Sequence, residues 1–360
     1  METFFVKFSA GSLDLSALVT TTNHCRMFKV ELVTNERDPI LLGRSLKGDW
    51  TVIERGQRTL SDKNFQQLEQ SIDDFLYKFY SAKRIMVPTD FSEAAENAAR
   101  YAALISRQLA STKLVLYHSY ESILMPMTTG FAPVGPGFTE SEEGSLEKMT
   151  SLKEKLAPEL LPETKIEIKT DDRTLVSAVN MLVQQLRIGL VVVGMTGKSR
   201  LERVIIGSNS LDLARSCLAP LLIVPAGVTF QKIEKVVFAC DLKEVLRLTP
   251  VHAIRTFVNA LHASLVILNV DHRRGDPAAE EMEQLQALHE LWDDQQPSYR
   301  YVDHEDVAEG IIAFAKKEGA QLVITIPRVY GFFEGFFHQS VTNRLATSLH
   351  LPLMLFRTEL

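Results

Sequence analysis

The chain has 360 residues, 46% of them hydrophobic and 23% charged, which suits two or three domains that each bury a full core. Its net charge of −6 excludes a general electrostatic attraction to nucleic acid or to anionic membranes. Three scattered cysteines, no run of about 18 apolar residues and no basic-then-apolar amino terminus predict a cytoplasmic protein without a signal peptide or a membrane span.

Residues 1–81 show a pattern of their own. Apolar residues alternate with mostly polar ones at 4–8, 13–19 and 28–32, which is typical of half-buried strands. Ser61 is a candidate helix cap, because apolar residues follow it at helical spacing. These positions are Phe65, Leu68, Ile72, Phe75 and Phe79. We therefore expect a small α+β domain, an antiparallel sheet closed by one helix, with no residue cluster that suggests chemistry.

Residues 82–228 alternate short apolar runs with amphipathic segments. Strands are predicted at 85–90, 113–117, 165–169, 190–193 and 221–224, with helices between them. This alternation predicts βαβ units and a parallel sheet, with the carboxyl ends of the strands at one edge. Residues 119–144 are rich in Gly and Pro and too long for a simple connection, so they predict a lid or a disordered excursion.

The same unit recurs in residues 233–360. KVVFACD at 235–241 matches RIMVPTD at 84–90, and LPLML at 351–355 matches APLLI at 219–223. Two copies of one unit predict two doubly wound α/β domains, flavodoxin-like or Rossmann-like, behind the small amino-terminal domain.

The stretch at 190–210, LVVVGMTGKSRLERVIIGSNS, predicts a phosphate site. Its glycines and serines follow the spacing G-x2-G-x9-G-S-x-S, after a predicted strand and at the start of a predicted helix. Glycine lets a backbone approach a ligand closely, and a helix amino terminus offers unpaired N–H groups to an anion. The candidate residues are Gly194, Met195, Gly197, Lys198, Arg200, Gly207, Ser208, Asn209 and Ser210. The alternative is a turn that glycines build for conformational reasons alone.

This spacing is similar to the nucleotide-binding signature of the universal stress proteins, and the chain is identified as a tandem member of that family. The resemblance covers 82–228 and 233–360. It implies domains like those of the adenine nucleotide alpha hydrolases and a bound ATP or related adenine nucleotide, accompanied by Mg²⁺. In the family the ends of the first and second strands meet the nucleoside, which implies binding roles for Pro88, Thr89, Asp90 and Ser119. Family members commonly have valine at the last of these positions.

Asp90 and Asp241 occupy matching places, each at the end of the first predicted strand of its copy. A carboxylate in the crevice of an α/β sheet can accept a hydrogen bond from a ribose hydroxyl or help to hold a cation. Each also begins a D-x-x-E pattern, with Glu93 or Glu244, and that pattern is typical of a helix cap. Both interpretations stay open, and the glycine signature in the first copy favours a ligand role for Asp90.

The second copy lacks the glycine signature. Pro327 and Val329 stand where the first copy has Met195 and Gly197, so a backbone donor is lost and bulk is added. Four phenylalanines fill the interval that follows, namely Phe332, Phe333, Phe336 and Phe337. We therefore expect ATP in the first copy only, while the phenylalanines either seal the empty crevice or form a partner surface.

The chemistry-bearing residues suggest binding more than catalysis. The sequence has no paired histidines, no CxxC and no G-x-S-x-G, so we assign neither catalytic nor metal-ligating residues. The expected function is that of a cytoplasmic stress-response protein whose bound nucleotide regulates its contacts with protein partners. The alternatives are a slow ATPase or adenylate-using hydrolase, and an interaction scaffold with a vestigial site. The family also implies that the last strands, at 221–224 and 353–356, pair as an internal pseudo-dimer, with a homodimer as the further arrangement.

Overall fold

The computed structural model describes residues 3–10, 13–22, 25–33, 39–45, 48–56, 60–120, 142–195, 208–271, 279–327, 341–348 and 350–357. Within these ranges the chain forms a five-stranded antiparallel sheet and a ten-stranded sheet that is parallel except at one pairing. The predicted architecture, α/β with a small α+β region ahead of it, is confirmed.

The amino-terminal sheet is a meander in which each strand pairs with the next. Its strands are β1 (Thr3–Ala10), β2 (Leu13–Thr22), β3 (Met27–Leu32), β4 (Ile40–Arg44) and β5 (Trp50–Glu54). Helix α1 (Asp62–Tyr80) packs on this sheet, and its Phe75 ring stacks on Phe4 with centroids 4.0 Å apart. Ser61 caps the helix as predicted: the Asn64 N–H donates to its hydroxyl, and its own N–H donates to the Asn64 side chain.

Two copies of one α/β unit follow. The first comprises β6 (Arg84–Pro88), α2 (Glu93–Gln108), β7 (Lys113–Ser119), α3 (Glu142–Leu156), β8 (Lys165–Asp171), α4 (Leu175–Leu186), β9 (Leu190–Met195), α5 (Ser208–Ser216) and β10 (Leu221–Pro225). The second comprises β11 (Lys235–Ala239), α6 (Val245–Leu248), α7 (Val251–Leu261), β12 (Ser264–Asp271), α8 (Ala279–Trp292), β13 (Ser298–Asp303), α9 (Val307–Lys317), β14 (Leu322–Thr325), α10 (Val341–Ser348) and β15 (Leu353–Leu355).

The strands of both copies join in one sheet, in the order β13-β12-β11-β14-β15-β10-β9-β6-β7-β8. Each copy has its first strand in the middle, between its second and its fourth. Strand β10 pairs antiparallel with β15, with Leu222 opposite Met354, so the last strands pair as the sequence predicts. The inner strands are covered on both faces, and Ile85, Met86 and Val87 of β6 are fully buried. This burial explains why these strands are continuous apolar runs in the sequence.

The amino-terminal region docks on helix α7 of the second copy. Arg44 lies with Nη1 2.8 Å from Nδ1 of His252 and with Nη2 2.8 Å from an oxygen of Asp73. The indole of Trp50 donates to the other Asp73 oxygen at 2.9 Å. Burial, together with the charges of Arg44 and Arg255, lowers the pKa of His252 to about 3. The imidazole is therefore neutral, and its Nδ1 accepts the hydrogen bond from Arg44.

Candidate functional site

The crevice of the first copy lies where the strand order reverses. Strand β6 has β7 on one side and β9 on the other, so the loops after these strands diverge to opposite sides of β6. In open α/β sheets this is the place where ligands bind. Pro88, Thr89 and Asp90 come at the carboxyl end of β6, Ser119 ends β7, and Gly194 and Met195 end β9. The fold therefore brings these predicted residues to one edge of the sheet.

Thr89 ties the end of β6 to the end of β7. Its N–H donates to the carbonyl of Tyr117 at 2.8 Å, and its own carbonyl lies 2.7 Å from Nδ1 of the buried His118. Its hydroxyl accepts from the N–H of Phe91 at 3.0 Å. Phe91 takes a left-handed backbone with φ of +60°, and its ring lies 4.6 Å from that of His118. A positive φ at a bulky residue is uncommon and marks a tightly determined turn.

Asp90 is exposed on this turn, and it is not a helix cap. Its Oδ1 accepts the N–H of Ser92 at 3.0 Å, whereas Ser92 itself caps α2 by accepting from Ala95 N–H. In the second copy Glu244 stands before α6 without a side-chain capping bond. The capping interpretation of both D-x-x-E patterns is therefore wrong, because each helix begins later than a cap at the aspartate would require.

Ser119 turns its side chain away from the end of β6. Its hydroxyl donates to the backbone carbonyl of Arg173 in the loop after β8. Beside it, the Tyr117 hydroxyl donates to Asp171 at 2.8 Å, and burial followed by this carboxylate raises the pKa of Tyr117. The family commonly has valine at this position. The Ser119 side chain instead anchors the loop after β8, while the backbone of Ser119 stays at the crevice.

Gly194 lies within β9, which continues to the buried Met195, two positions beyond the predicted strand of 190–193. It is not a turn residue. A Cβ built on Gly194 would lie 2.1 Å from the carbonyl oxygen of Ala94, in the first turn of α2. Only glycine allows the helix backbone to approach the strand this closely. Close packing therefore accounts for Gly194 without any ligand.

Helix α5 is attached to the end of β9. The hydroxyl of Ser210, in its first turn, donates to the carbonyl of Gly194 at 3.3 Å. The amino-terminal N–H groups of α5 thus come to the same edge as Thr89 and Asp90. The other predicted members of the phosphate site, Gly197, Lys198, Arg200 and Gly207, lie outside the described residues, as do the side chains of Ser208 and Asn209. Most of the predicted lid, residues 121–141, lies outside them too.

The second copy repeats the strand-end framework with different side chains. The Cys240 N–H donates to Leu268 at 2.8 Å, and the Asn269 amide donates to the Cys240 carbonyl at 2.9 Å, as Thr89 and His118 do in the first copy. Leu242 has φ of +52°, like Phe91.

The helices after the two aspartates differ. Helix α2 begins at Glu93, three residues after Asp90, whereas the short α6 follows Asp241 and α7 begins only at Val251. The substituted loop of the second copy, with Val329 and the four phenylalanines, lies outside the described residues.

Two neighbours of the crevice escaped the sequence analysis. The Phe91 ring lies between His118 and Lys148, whose Nζ is 5.2 Å from the ring centroid. Lys148 belongs to α3, which follows the predicted lid in the chain, so no local pattern could associate it with the end of β6.

No helix of the described residues combines the length and the apolar character that a membrane crossing requires. No group of three potential metal-ligating side chains occurs in that part of the chain.

Comparison with known proteins agrees with this architecture. The family model of the universal stress protein family matches residues 81–225 and again 233–357. The chain therefore belongs to the universal stress protein family and carries two of its domains. Residues 1–80 lie outside both matches.

Individual relatives are distant. A curated universal stress protein of Methanocaldococcus jannaschii is 26% identical over 151 residues, which is 39% of this chain and 81% of that protein. The crystal structure of a universal stress protein from Archaeoglobus fulgidus DSM 4304 superposes with a TM-score of 0.58 at 14% identity, over 77% of this chain and 98% of that one. A putative universal stress protein from Pseudomonas aeruginosa UCBPP-PA14 gives 0.52 at 14% identity, over 78% and 95%. At such identities these structures support the fold alone.

Proposed function

We propose that the first copy binds an adenine nucleotide, ATP or a close relative, and that occupancy regulates the contacts of this protein with others. The observation that carries the proposal is the bond between Ser210 and Gly194. It attaches the amino terminus of a nine-residue helix to the same edge of the sheet as the exposed carboxylate of Asp90, at the switch point of the strand order. A helix amino terminus favours phosphate, and a carboxylate favours a ribose hydroxyl.

The nucleotide would lie across the carboxyl ends of three strands. Its phosphates, accompanied by Mg²⁺, would meet the first turn of α5 and the segment that carries Gly197, Lys198, Arg200 and Gly207. The ribose would meet Asp90, and the adenine would meet the backbone of Pro88, Thr89 and Ser119. Pro88 and Thr89 are buried and held by β7, so this surface is formed before any ligand arrives.

The second copy is proposed to stay empty. Its short α6 separates Asp241 from α7, the counterpart of α2, and Pro327, which follows β14 after one intervening residue, has no N–H to offer. We therefore expect each chain to bind one nucleotide.

Isothermal titration of the full chain with ATP and Mg²⁺ tests the proposal, with Asp90→Asn and its counterpart Asp241→Asn as matched variants. The full chain is required because β15 pairs with both β10 and β14, so a cut between the copies would expose a strand edge. We expect one site, a loss of about tenfold in affinity for Asp90→Asn, and no change for Asp241→Asn. Absence of heat, or equal effects of the two substitutions, would contradict it.

The same samples distinguish regulation from turnover. Release of inorganic phosphate from ATP above the background rate, abolished by Asp90→Asn, would favour the slow ATPase instead. Retained nucleotide without phosphate release supports a ligand-dependent regulator.

A further inference from the structure

A groove of about 1080 Å³ lies at the opposite end of the first copy from the crevice. Edge strand β1 and helix α1 form one wall, and the residues that precede β6, β7 and β9 form the other. The groove thus runs along the junction between the amino-terminal region, for which the sequence suggests no chemistry, and the first α/β copy.

The groove is strongly basic, although the chain as a whole has a net charge of −6. Of the side chains that the structure describes, five cationic ones line it against a single carboxylate, that of Asp74. The cations are Lys7, Lys78, Lys83, Arg84 and Arg187. Among the described residues, none of these five forms an ion pair with a carboxylate.

The hydrogen bonds of two of these cations supply no full negative charge. Lys83 donates to the carbonyl of Leu109 at 2.8 Å, and Arg84 donates to that of Leu186 at 2.7 Å. Both acceptors are carbonyls at the carboxyl ends of helices, whose partial negative charge offsets only part of a full positive charge. Like charges concentrated in one groove repel one another, and a bound anion would relieve that repulsion.

Apolar side chains are exposed along the same groove. Phe5, Val33 and Tyr77 are 53%, 60% and 51% exposed, and all three contribute to its lining. Exposed apolar residues that cluster between polar ones are typical of interaction surfaces, whereas single ones are ordinary.

The free edge of β1 is partly covered. The outward carbonyl of Phe5 accepts from Arg187 at 3.4 Å, and that of Lys7 lies 3.1 Å from the Ser71 hydroxyl, which also lies 2.8 Å from the Gln67 carbonyl. An added strand would compete with these side chains for the two carbonyls. A ligand in the groove would therefore be recognised through side chains.

We propose that this groove binds an acidic peptide segment of a partner protein, in which carboxylates alternate with apolar side chains. The carboxylates would meet Lys7, Lys78 and Arg187, and the apolar side chains would cover Phe5 and Val33.

The exposed ring of Phe5 could stack one base, but single-stranded nucleic acid binds through successive bases stacked on several aromatic faces, so it fits the groove less well. The Phe75 ring lies between Phe4 and the guanidinium of Arg187, and Lys83 covers a face of Tyr77.

The test is a selection from a display library of random twelve-residue peptides on the full chain, followed by fluorescence anisotropy of the enriched peptides. The groove variant combines Lys7→Glu, on edge strand β1, with Lys78→Glu, in the last turn of α1. Its matched control is Lys165→Glu with Lys317→Glu, which makes the same charge change on edge strand β8 and in the last turn of α9. A twelve-nucleotide oligo-dT is the competing probe.

We expect enriched peptides with an excess of Asp and Glu next to apolar residues. Their binding should fall at least tenfold in the groove variant and in high salt, and it should be unchanged in the control variant. The proposal would be overturned if the enriched peptides had no excess of acidic residues or if the groove and control variants bound them equally. It would also be overturned if the wild type enriched no peptides beyond those that the groove variant enriches. Oligo-dT that binds the wild type and loses its binding in the groove variant alone would also overturn it, in favour of nucleic acid.

Discussion

The hydroxyl of Ser210 donates to the carbonyl of Gly194 at 3.3 Å, and this bond attaches the first turn of α5 to the end of β9. The two residues come from the two ends of the glycine-serine signature. Strand β9 ends at Met195 and α5 begins at Ser208, so the bond joins two elements that are not adjacent in the chain. The bond therefore determines where the helix amino terminus points relative to the sheet edge.

Removing that bond should weaken the proposed phosphate site. We expect Ser210→Ala to reduce ATP affinity about three- to tenfold, since a net hydrogen bond contributes about 0.5–1.5 kcal/mol. Amide hydrogen exchange in the first turn of α5 should rise as well. Ser216→Ala is the control, because that hydroxyl donates to Asp212 within the same helix. Equal effects of the two substitutions on ATP binding would show that general helix stability, and not the attachment to β9, is responsible.

Gly194 should matter for stability before it matters for a ligand. An alanine Cβ would stand 2.1 Å from the carbonyl oxygen of Ala94, so the strand and α2 must move apart. We expect Gly194→Ala to lower the free energy of unfolding by about 1–3 kcal/mol without any nucleotide present. Gly43→Ala is the comparison, because its Cβ would meet only the half-exposed end of Ile53 at 3.1 Å. Urea unfolding of the two variants distinguishes them. Equal stability of Gly194→Ala and the wild type would contradict the close packing.

His118 in the first copy and Asn269 in the second occupy corresponding positions, so an asparagine should be able to replace His118. Both side chains lie within hydrogen-bond distance of the carbonyl that follows the first strand, that of Thr89 or Cys240. We expect His118→Asn to keep that bond and stay within about 1 kcal/mol of the wild type. His118→Leu leaves the buried carbonyl without this partner and should cost about 1–3 kcal/mol more. Thermal unfolding measures the stability of both variants. Equal stabilities of His118→Asn and His118→Leu would show that the hydrogen bond to the Thr89 carbonyl does not stabilise the fold.

The junction between the amino-terminal region and α7 should be sensitive to acid. Arg44, Arg255 and Tyr80 lie near His252, and Asp73 is paired with Arg44. Burial, followed by the charges of the two arginines, disfavours a proton on the imidazole. The folded pKa, about 3, lies below the ordinary value of 6.5. Between these values the unfolded chain binds a proton that the folded chain does not, so stability falls as the pH falls.

The full contribution of His252 is present above pH 6.5 and decreases below it by at most about 1.4 kcal/mol per pH unit. We expect His252→Gln to flatten the dependence of the unfolding free energy on pH between 6.5 and 4. Exposed His350 provides the control, since His350→Gln should leave the slope unchanged. A slope that persists in His252→Gln would assign the acid sensitivity to other groups.

Particular elements show what could be predicted from sequence and what could not. Strands β6 and β9 were predictable because burial on both faces requires apolar runs. Strand β4 was missed, because Ile40, Leu41 and Leu42 do not alternate with polar residues. The D-x-x-E pattern at Asp90 left a helix cap open as one of two interpretations, but Phe91 has a left-handed backbone and α2 begins only at Glu93. Such a backbone is held by contacts with β7, which no local pattern reveals.

The amino-acid sequence alone determined the family, the duplication and the strand-end residues of the first copy. Periodicity and residue spacing are local properties, and they survive in a linear chain. Tertiary structure alone decided that Gly194 is a packing residue, that Ser119 anchors a loop and that five cations meet in one groove. Each of these depends on segments far apart in the chain, whose contact distances arise only when the sheets and helices pack together.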